Sequence, residues 1–419
     1  MTDFYERIGQ LRAEGLRWTE IAKRLSEEFG RPFSDDGVRN AHTRWIARGK
    51  QPPKPGKGAI EEPPKAKEPE LPTVEERIAD EARLLREKND ADTMKRLLRD
   101  RAGEELFAEV LREAASRLRF PPLTINPPTQ PKGDFPEEEA VIVLSDMHIG
   151  SDVDEEETGG LGGYNLAVFQ ERLQTLEDAV REILAIHRRA YPIRRLRVFG
   201  IGDWIDGQSI FKGHAHHIQV DITEQMLIAV HSIGEMLIRL LDSVDEIKVL
   251  ILGGNHGRFG MKGEAKDHTN MDRVVGMWMR DLTQNHPRIT YRIPKSWWAI
   301  EEVLGWRFLC THGEDIKSWN SIPYYGIDRA DARYTKLMGA NEMPYHYFVV
   351  GHFHNAADID AVGGEKIVNG AWPGASPFSL KVLQTASRPS QMFFGVSPKK
   401  GITWRYRLYL DEDARHRAG

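Results

Sequence analysis

The sequence predicts an α/β protein: a large domain of mixed strands and helices preceded by a small all-α domain. Three observations lead there. Short apolar runs that read as buried strands recur from about residue 136 to 410, with a helical stretch over about 165–189 between the first two. Five of those runs stop abruptly at Asp, Asn or His. The first 50 residues show helical spacing only, and a proline-rich stretch sets them apart.

At 419 residues the chain has room for two or three domains, and 40% hydrophobic with 29% charged residues suits a globular fold with a large core. A net charge of −5 carries no global signature of a nucleic-acid binder, so charge has to be read locally. The single cysteine, Cys310, lies in a strand-like run and has no partner for an internal disulfide, which fits a reducing, intracellular setting. The start, Met-Thr-Asp-Phe-Tyr-Glu-Arg, lacks the apolar core of a signal peptide, and no run approaches the roughly 20 residues of a membrane helix. The expectation is a cytoplasmic protein without a membrane partner.

Residues 1–50 read as three helices. Phe4, Ile8 and Leu11 mark the buried face of the first, which Gly15 ends. The second follows Thr19, with Ile21, Ala22, Leu25 and Phe29 on one stripe before Gly30. Ser34 can cap the third, with Asp35 and Asp36 in its first turn and Val38, Ala41, Trp45 and Ile46 facing inward. Its outer face carries Arg39, Asn40, His42, Arg44, Arg48 and Lys50. From Gly37 to Lys50 there are four basic and no acidic residues, in a unit with ten basic and eight acidic. This unit resembles the helix-turn-helix folds of resolvases and phage regulators, which implies duplex DNA contacts from Arg39, Asn40, Arg44 and Arg48. A protein-docking module with a solvated basic face is the plainer alternative.

Residues 51–72 hold seven of the 23 prolines with four lysines and four glutamates, the composition of an extended linker. Residues 73–120 return to helical spacing and read as an arm packed on the main domain, interrupted near Asn89-Asp90-Ala91-Asp92. The main domain occupies 121–419. Its first strand ends in Ser145-Asp146-Met147-His148, where carboxylate and imidazole can face one metal ion. An acidic run from Asp152 to Glu157, a glycine-rich loop at 159–163 and a helix over about 165–189 follow. A strand at 196–201 ends in Gly202-Asp203-Trp204-Ile205-Asp206, and Asp203 at its tip can bridge two cations. A third, at 247–252, ends in Gly253-Gly254-Asn255-His256-Gly257-Arg258; the amide oxygen of Asn255 can ligate while His256 stays free to act on substrate. A fourth ends in His312-Gly313 and a fifth in Gly351-His352-Phe353-His354. One histidine after a strand is by default structural or solvated. Five such ends bury too many polar groups at one sheet edge unless a metal pair unites them. Oxygen and nitrogen donors without thiolates suit manganese, iron or zinc.

Taken in order, Asp-x-His, Gly-Asp-x-x-Asp, Gly-Asn-His, His-Gly and Gly-His-x-His resemble the calcineurin-like metallophosphoesterases, over about residues 139–370. The resemblance implies a two-sheet β-sandwich flanked by helices, with the site at the carboxyl ends of the strands. It implies two divalent ions, manganese first, with iron, zinc or magnesium as alternatives. Asp146, His148 and His354 would hold one, Asn255, His312 and His352 the other, and Asp203 would bridge. The implied chemistry is attack by a metal-bound hydroxide on phosphorus, with His256 protonating the leaving oxygen and Asp206 fixing its tautomer.

Departures from the pattern bear on substrate. Phosphoprotein phosphatases place an arginine after the second aspartate of Gly-Asp-x-x-Asp, where this chain has Gly207 and Gln208. Gly257 stands where an acidic residue usually follows Gly-Asn-His, and Arg258 is the candidate phosphate contact. Losing the dianion clamp favours diesters, and Ser-Asp-Met-His-Ile-Gly is most similar to the recombination-repair nucleases, although the histidine those enzymes carry near Asp206 is missing from the motif. His214, His216 and His217 are candidate phosphate contacts in a loop. Lys262, Lys266, Arg273, Lys317 and Trp319 are candidates for a nucleic-acid path, and Trp297-Trp298 reads as a packed core edge. The expected protein is a phage-type DNA phosphodiesterase, with a homodimer left open. The rivals are a phosphomonoesterase or cyclic-nucleotide phosphodiesterase with a protein-binding front unit, and a DNA-binding adaptor with a vestigial site.

Overall fold

The structure, a computed structural model, describes residues 4–46, 105–120, 135–317, 323–375 and 386–411, with isolated positions between 92 and 125 and at 380. The proposed linker and most of the arm before residue 105 fall outside the described residues.

The chain divides into two compact units, Met1–Asp92 and Thr93–Gly419. In the first, α1 (Phe4–Ala13), α2 (Trp18–Phe29) and α3 (Asp35–Ile46) bury Ile8, Leu11, Ile21, Ala22, Leu25 and Val38 against one another. The second helix starts two residues earlier than its spacing suggests, because the Glu20 side chain accepts from the Arg17 backbone N–H and closes the first turn. Gly30 ends it at φ 65°, and the Ser34 hydroxyl accepts from the Gly37 N–H to start α3. Arg39 and Asn40 are exposed on α3. The side chains of Arg44, Trp45, Ile46 and Arg48 lie outside the described residues.

In the second unit a helix over residues 105–117, α4, presents Phe107 and Leu111 to the main core, and Leu118 is buried in it. The domain then lays down two sheets. The first has the order β11 (Gly401–Tyr409), β10 (Ser390–Ser397), β1 (Glu138–Leu144), β2 (Ile193–Ile201), β3 (Glu246–Leu252), β4 (Ile289–Arg292). The second has β5 (Trp298–Val303), β6 (Trp306–Thr311), β7 (Tyr347–Val350), β9 (Gly364–Val368), β8 (Ala357–Ala361). Strands β1 to β4 are mutually parallel, as are β6, β7 and β9.

Period-two alternation explains the layering. On β1, Val141 and Val143 point between the sheets, where they meet Phe199, Leu250, Phe308, Val349 and Phe394. Ile142 and Leu144 point the other way, onto α5 (Leu166–His187), α6 (Ile222–Leu240) and α7 (Met271–Leu282). The outer face of the second sheet packs Leu309, Phe348 and Val350 against Ile327 and Met338 of α8 (Pro323–Ala340). Both faces of the central strands are therefore buried, and their polar residues collect at the carboxyl-end turns. This is the flanked two-sheet sandwich that the resemblance implied.

Candidate metal centre

Five of the parallel strands, β1, β2, β3, β6 and β7, each deliver one turn to the same edge. After β1, Met147 and Ile149 are fully buried and anchor the turn, so that Asp146 and His148 between them face the site. The Asp146 N–H donates to the Gly202 carbonyl at 3.1 Å and the His148 N–H to the Asp203 carbonyl at 3.1 Å, tying the first turn to the second. Gly202, at φ 92°, brings β2 so close to β3 that a Cβ there would stand 2.5 Å from the Gly254 nitrogen. A Cβ at Gly254 would in turn collide with the Asp203 carboxylate. Only glycine at both positions lets Asp203 lie against the third turn.

Among the described residues, seven non-glycine residues adopt left-handed φ, and five are expected ligands: Asp146 (53°), His148 (47°), Asp203 (53°), His352 (67°) and His354 (59°). Each such conformation costs on the order of 1–3 kcal/mol, so the surrounding fold holds these residues where the backbone alone would not.

Among the described residues the donor atoms meet in three groups, each within 4.8 Å: Asp146 with His148 and His354, Asp203 with His312 and His352, and His148 with Asp206 and His256. The first two hold the expected ligands. His148 Nε2 and His354 Nε2 are 3.1 Å apart, and His354 Nε2 is 3.4 Å from the Asp146 carboxylate. His312 Nε2 lies 3.0 Å from both Asp203 Oδ2 and Asn255 Oδ1. The His312 Nδ1–H donates to the Ile201 carbonyl at 2.9 Å, so Nε2 of the neutral ring is a lone pair aimed at two oxygen acceptors. Such an arrangement requires a cation or a second proton between them. Burial resists the proton on His312, yet Asp203 outweighs it and pushes the ring up to about 9. Burial, followed by His312, presses His352 down to about 3. Burial alone would raise Asp203 and Asp206; His312 first for Asp203, and His148 first for Asp206, hold both well below the usual carboxylate range. Buried ionised carboxylates converging with imidazole nitrogens are the chemistry of divalent cation sites, and these residues fit a pair of ions.

Around the donors stands a second set of side chains. Asp206 is 4% exposed, and its carboxylate lies 2.9 Å from His148 Nδ1, 2.9 Å from His214 Nε2 and 3.3 Å from His256 Nδ1. The His256 Nδ1–H donates chiefly to the Asp206 backbone carbonyl at 2.7 Å, so the tautomer expected to be fixed by the carboxylate is held first by the main chain. Burial resists the charged ring of His256, yet Asp203 and Asp206 prevail and push it up to about 9. The ring stands edge-on to His148 with centroids 4.4 Å apart.

Several sequence expectations change. His214, read as a loop residue touching phosphate, is 2% exposed, and its second ring nitrogen faces the Ile210 N–H at 3.4 Å; the short helix from His214 to His216 folds it inward under the exposed Phe211. It supplies Asp206 with a histidine neighbour that the motif itself lacks. Arg258 is ion-paired with Glu314. Arg273 donates to the backbone carbonyls of His268 and Pro294. Lys262 pairs with Asp315 at 2.9 Å, and Trp319 lies outside the described residues. Trp297 is 48% exposed and lines a cleft with Gly253, His312, Glu314 and Tyr334, while only Trp298 packs inward. Asp272, which sequence reasoning passed over, is fully buried beside Asp203. Its signal, Asn270-Met271-Asp272 at a helix start, looks like an ordinary cap and acidic first turn.

A sandwich of parallel strands whose tips converge oxygen and nitrogen donors defines a metallohydrolase. The chain belongs to the calcineurin-like phosphoesterase family, whose sequence profile matches residues 140–372. It is accordingly a phosphoester hydrolase of a family that uses divalent metals. None of the curated proteins matches the chain in sequence. Similar solved structures include vacuolar protein sorting 29 from Cryptosporidium parvum, at 13% identity and TM-score 0.30, covering 65% of this chain and 99% of that one. An archaeal phosphodiesterase is 13% identical with TM-score 0.28, over 64% and 99% of the two chains. Vps29 from Entamoeba histolytica, complexed with zinc, is 11% identical with TM-score 0.26, over 65% and 99%. Among the described residues no helix is long and apolar enough to cross a membrane.

Proposed function

We propose that this chain is a metal-dependent phosphodiesterase acting on DNA. One observation carries the choice of a diester: Arg258, the arginine that follows the third ligand turn, is bound to Glu314, and Gly207 leaves no side chain beside Asp206. A monoester dianion needs uncommitted positive charge at the site, whereas a diester carries a single negative charge.

In this reading Asp146, His148 and His354 would hold one divalent ion and Asn255, His312 and His352 a second, with Asp203 placed to serve both. Such ions, when bound, neutralise phosphoryl oxygens and lower the pKa of water. The protein's own part is positional. His148 is oriented through Nδ1 by Asp206, which leaves Nε2 toward the donors. His256 keeps Nε2 free of its Asp206 contact and is the proton donor. As the water oxygen gives up a proton to solvent and bonds to phosphorus, the bond to the leaving oxygen breaks and the leaving oxygen takes the proton from His256 Nε2.

DNA is favoured by the exposed Arg39 and Asn40 on α3, and by the aromatic wall of Trp297 and Tyr334 beside His312. Tethering a DNA-binding unit to the catalytic domain raises local substrate concentration without a uniformly basic cleft. The test compares bis-p-nitrophenyl phosphate with p-nitrophenyl phosphate in manganese, then single- and double-stranded DNA with the wild type and Asp203→Ala. Preference for the diester, and DNA cleavage lost in the variant, are expected. Preference for the monoester would replace this reading with a phosphatase, and no metal-dependent turnover of any substrate would favour a DNA-binding adaptor.

A further inference from the structure

Asp272 belongs to none of the three donor groups, yet its fully buried carboxylate is bound to two of the ligand turns. Oδ2 accepts from the backbone N–H of Asp203 at 3.0 Å and of Gly254 at 2.9 Å. Oδ1 accepts from Trp204 at 3.1 Å and Ile205 at 3.4 Å. The turn after β2 and the turn after β3 are therefore clasped by one side chain from the start of α7. Asn270 closes the clasp: its Oδ1 accepts from the Asp272 N–H at 3.0 Å, and its Nδ2 donates to the Gly254 carbonyl at 2.8 Å.

Gly257 makes room for this arrangement. A Cβ at that position would stand 2.6 Å from Asn270 Oδ1 and 2.8 Å from Asp272 Oδ2. Both atoms belong to short, buried, fully hydrogen-bonded side chains that have nowhere to retreat. The acidic side chain missing after Asn255-His256 is thus matched by a carboxylate arriving from another element into the space the glycine leaves.

We propose that Asp272 is a positioning residue for the metal pair: through the Asp203 and Gly254 amides it sets the spacing between the bridging carboxylate and Asn255, and Gly257 is bare so that it can reach. The inference rests on the metal-centre reading of Asp203 and Asn255. An aspartate is required because four N–H groups converge on it. Asparagine offers one acceptor oxygen and turns an NH2 toward the remaining donors.

The test is manganese titration of the full chain by calorimetry, with spin-resonance detection of paired ions and thermal melting, for the wild type, Asp272→Asn, Gly257→Ala and the double variant. Both single variants are expected to fold, to bind manganese roughly 10–100-fold more weakly and to lose kcat with little change in KM. The double variant should be no worse than Asp272→Asn, because both changes break one clasp. Lower melting temperature with wild-type manganese affinity and an unchanged spin-resonance signal would overturn the inference, leaving Asp272 a purely structural residue. Should Asp272→Asn fail to fold, Gly257→Ala decides alone, and wild-type metal affinity in it sinks the proposal. Wild-type protein that binds no manganese, zinc or iron would instead bring down the metal-centre reading itself.

Discussion

His214 Nε2 lies 2.9 Å from Asp206 Oδ2, both groups inside the protein and eight residues apart in the chain. With His148 and His256 it makes Asp206 the meeting point of three imidazoles, the proposed metal ligand and the proposed proton donor among them. A carboxylate shared in this way couples the orientation of ligand and proton donor.

His214→Ala removes one of the three partners from a buried charge. It should cost about 1–3 kcal/mol of stability and lower kcat roughly tenfold through the loosened Asp206, with KM unchanged. Steady-state kinetics and thermal melting check it. A raised KM at constant kcat would restore His214 to the substrate-contact role its sequence position suggests.

His256→Asn should retain both metals, because the ring lies outside the two donor groups assigned to the ions and its Nδ1 is committed to the Asp206 carbonyl. Turnover should fall by about 10²–10⁴, and least for substrates with a good leaving group such as p-nitrophenolate. Elemental analysis beside kinetics reads this out, and loss of metal would move His256 into the ligand set.

Trp297 offers a half-exposed indole, tethered at its backbone carbonyl by the Thr311 hydroxyl at 3.1 Å, one residue before His312. Base stacking on an aromatic face contributes about 1–3 kcal/mol, so Trp297→Ala should raise KM for single-stranded oligonucleotides about tenfold while kcat stays near wild type. An unaltered KM on single strands would remove the indole from the substrate path.

Arg39→Glu on the exposed face of α3 should weaken duplex DNA binding by the full chain and reduce the slope of log affinity against log salt by about 1. Fluorescence anisotropy across a salt series measures both. Binding that ignores salt and this substitution would make the front unit a protein-docking module.

The ligand turns were legible in the sequence because everything that makes them is local. A strand that is apolar on both faces, such as Val141–Leu144, can only end where polar residues begin, and a glycine such as Gly202 marks the sharp exit. Five repeats of that pattern in order point to the family without coordinates. The extent of α5 was legible too: Asn165 caps it where the apolar spacing begins.

What surrounds the donors was decided by tertiary structure alone. The Asp272 clasp, the His214 contact with Asp206, the Arg258 pair with Glu314 and the exposure of Trp297 each join segments with no shared periodicity. Their residues carry ordinary local signals: a helix cap, a loop histidine, a surface charge, a strand-edge aromatic. By itself the sequence determined which groups can face a metal, because strand ends and glycine turns are short-range. Only the packed sheets decided which carboxylate orients which ring and which cation is already neutralised, because those are distances between elements far apart in the chain.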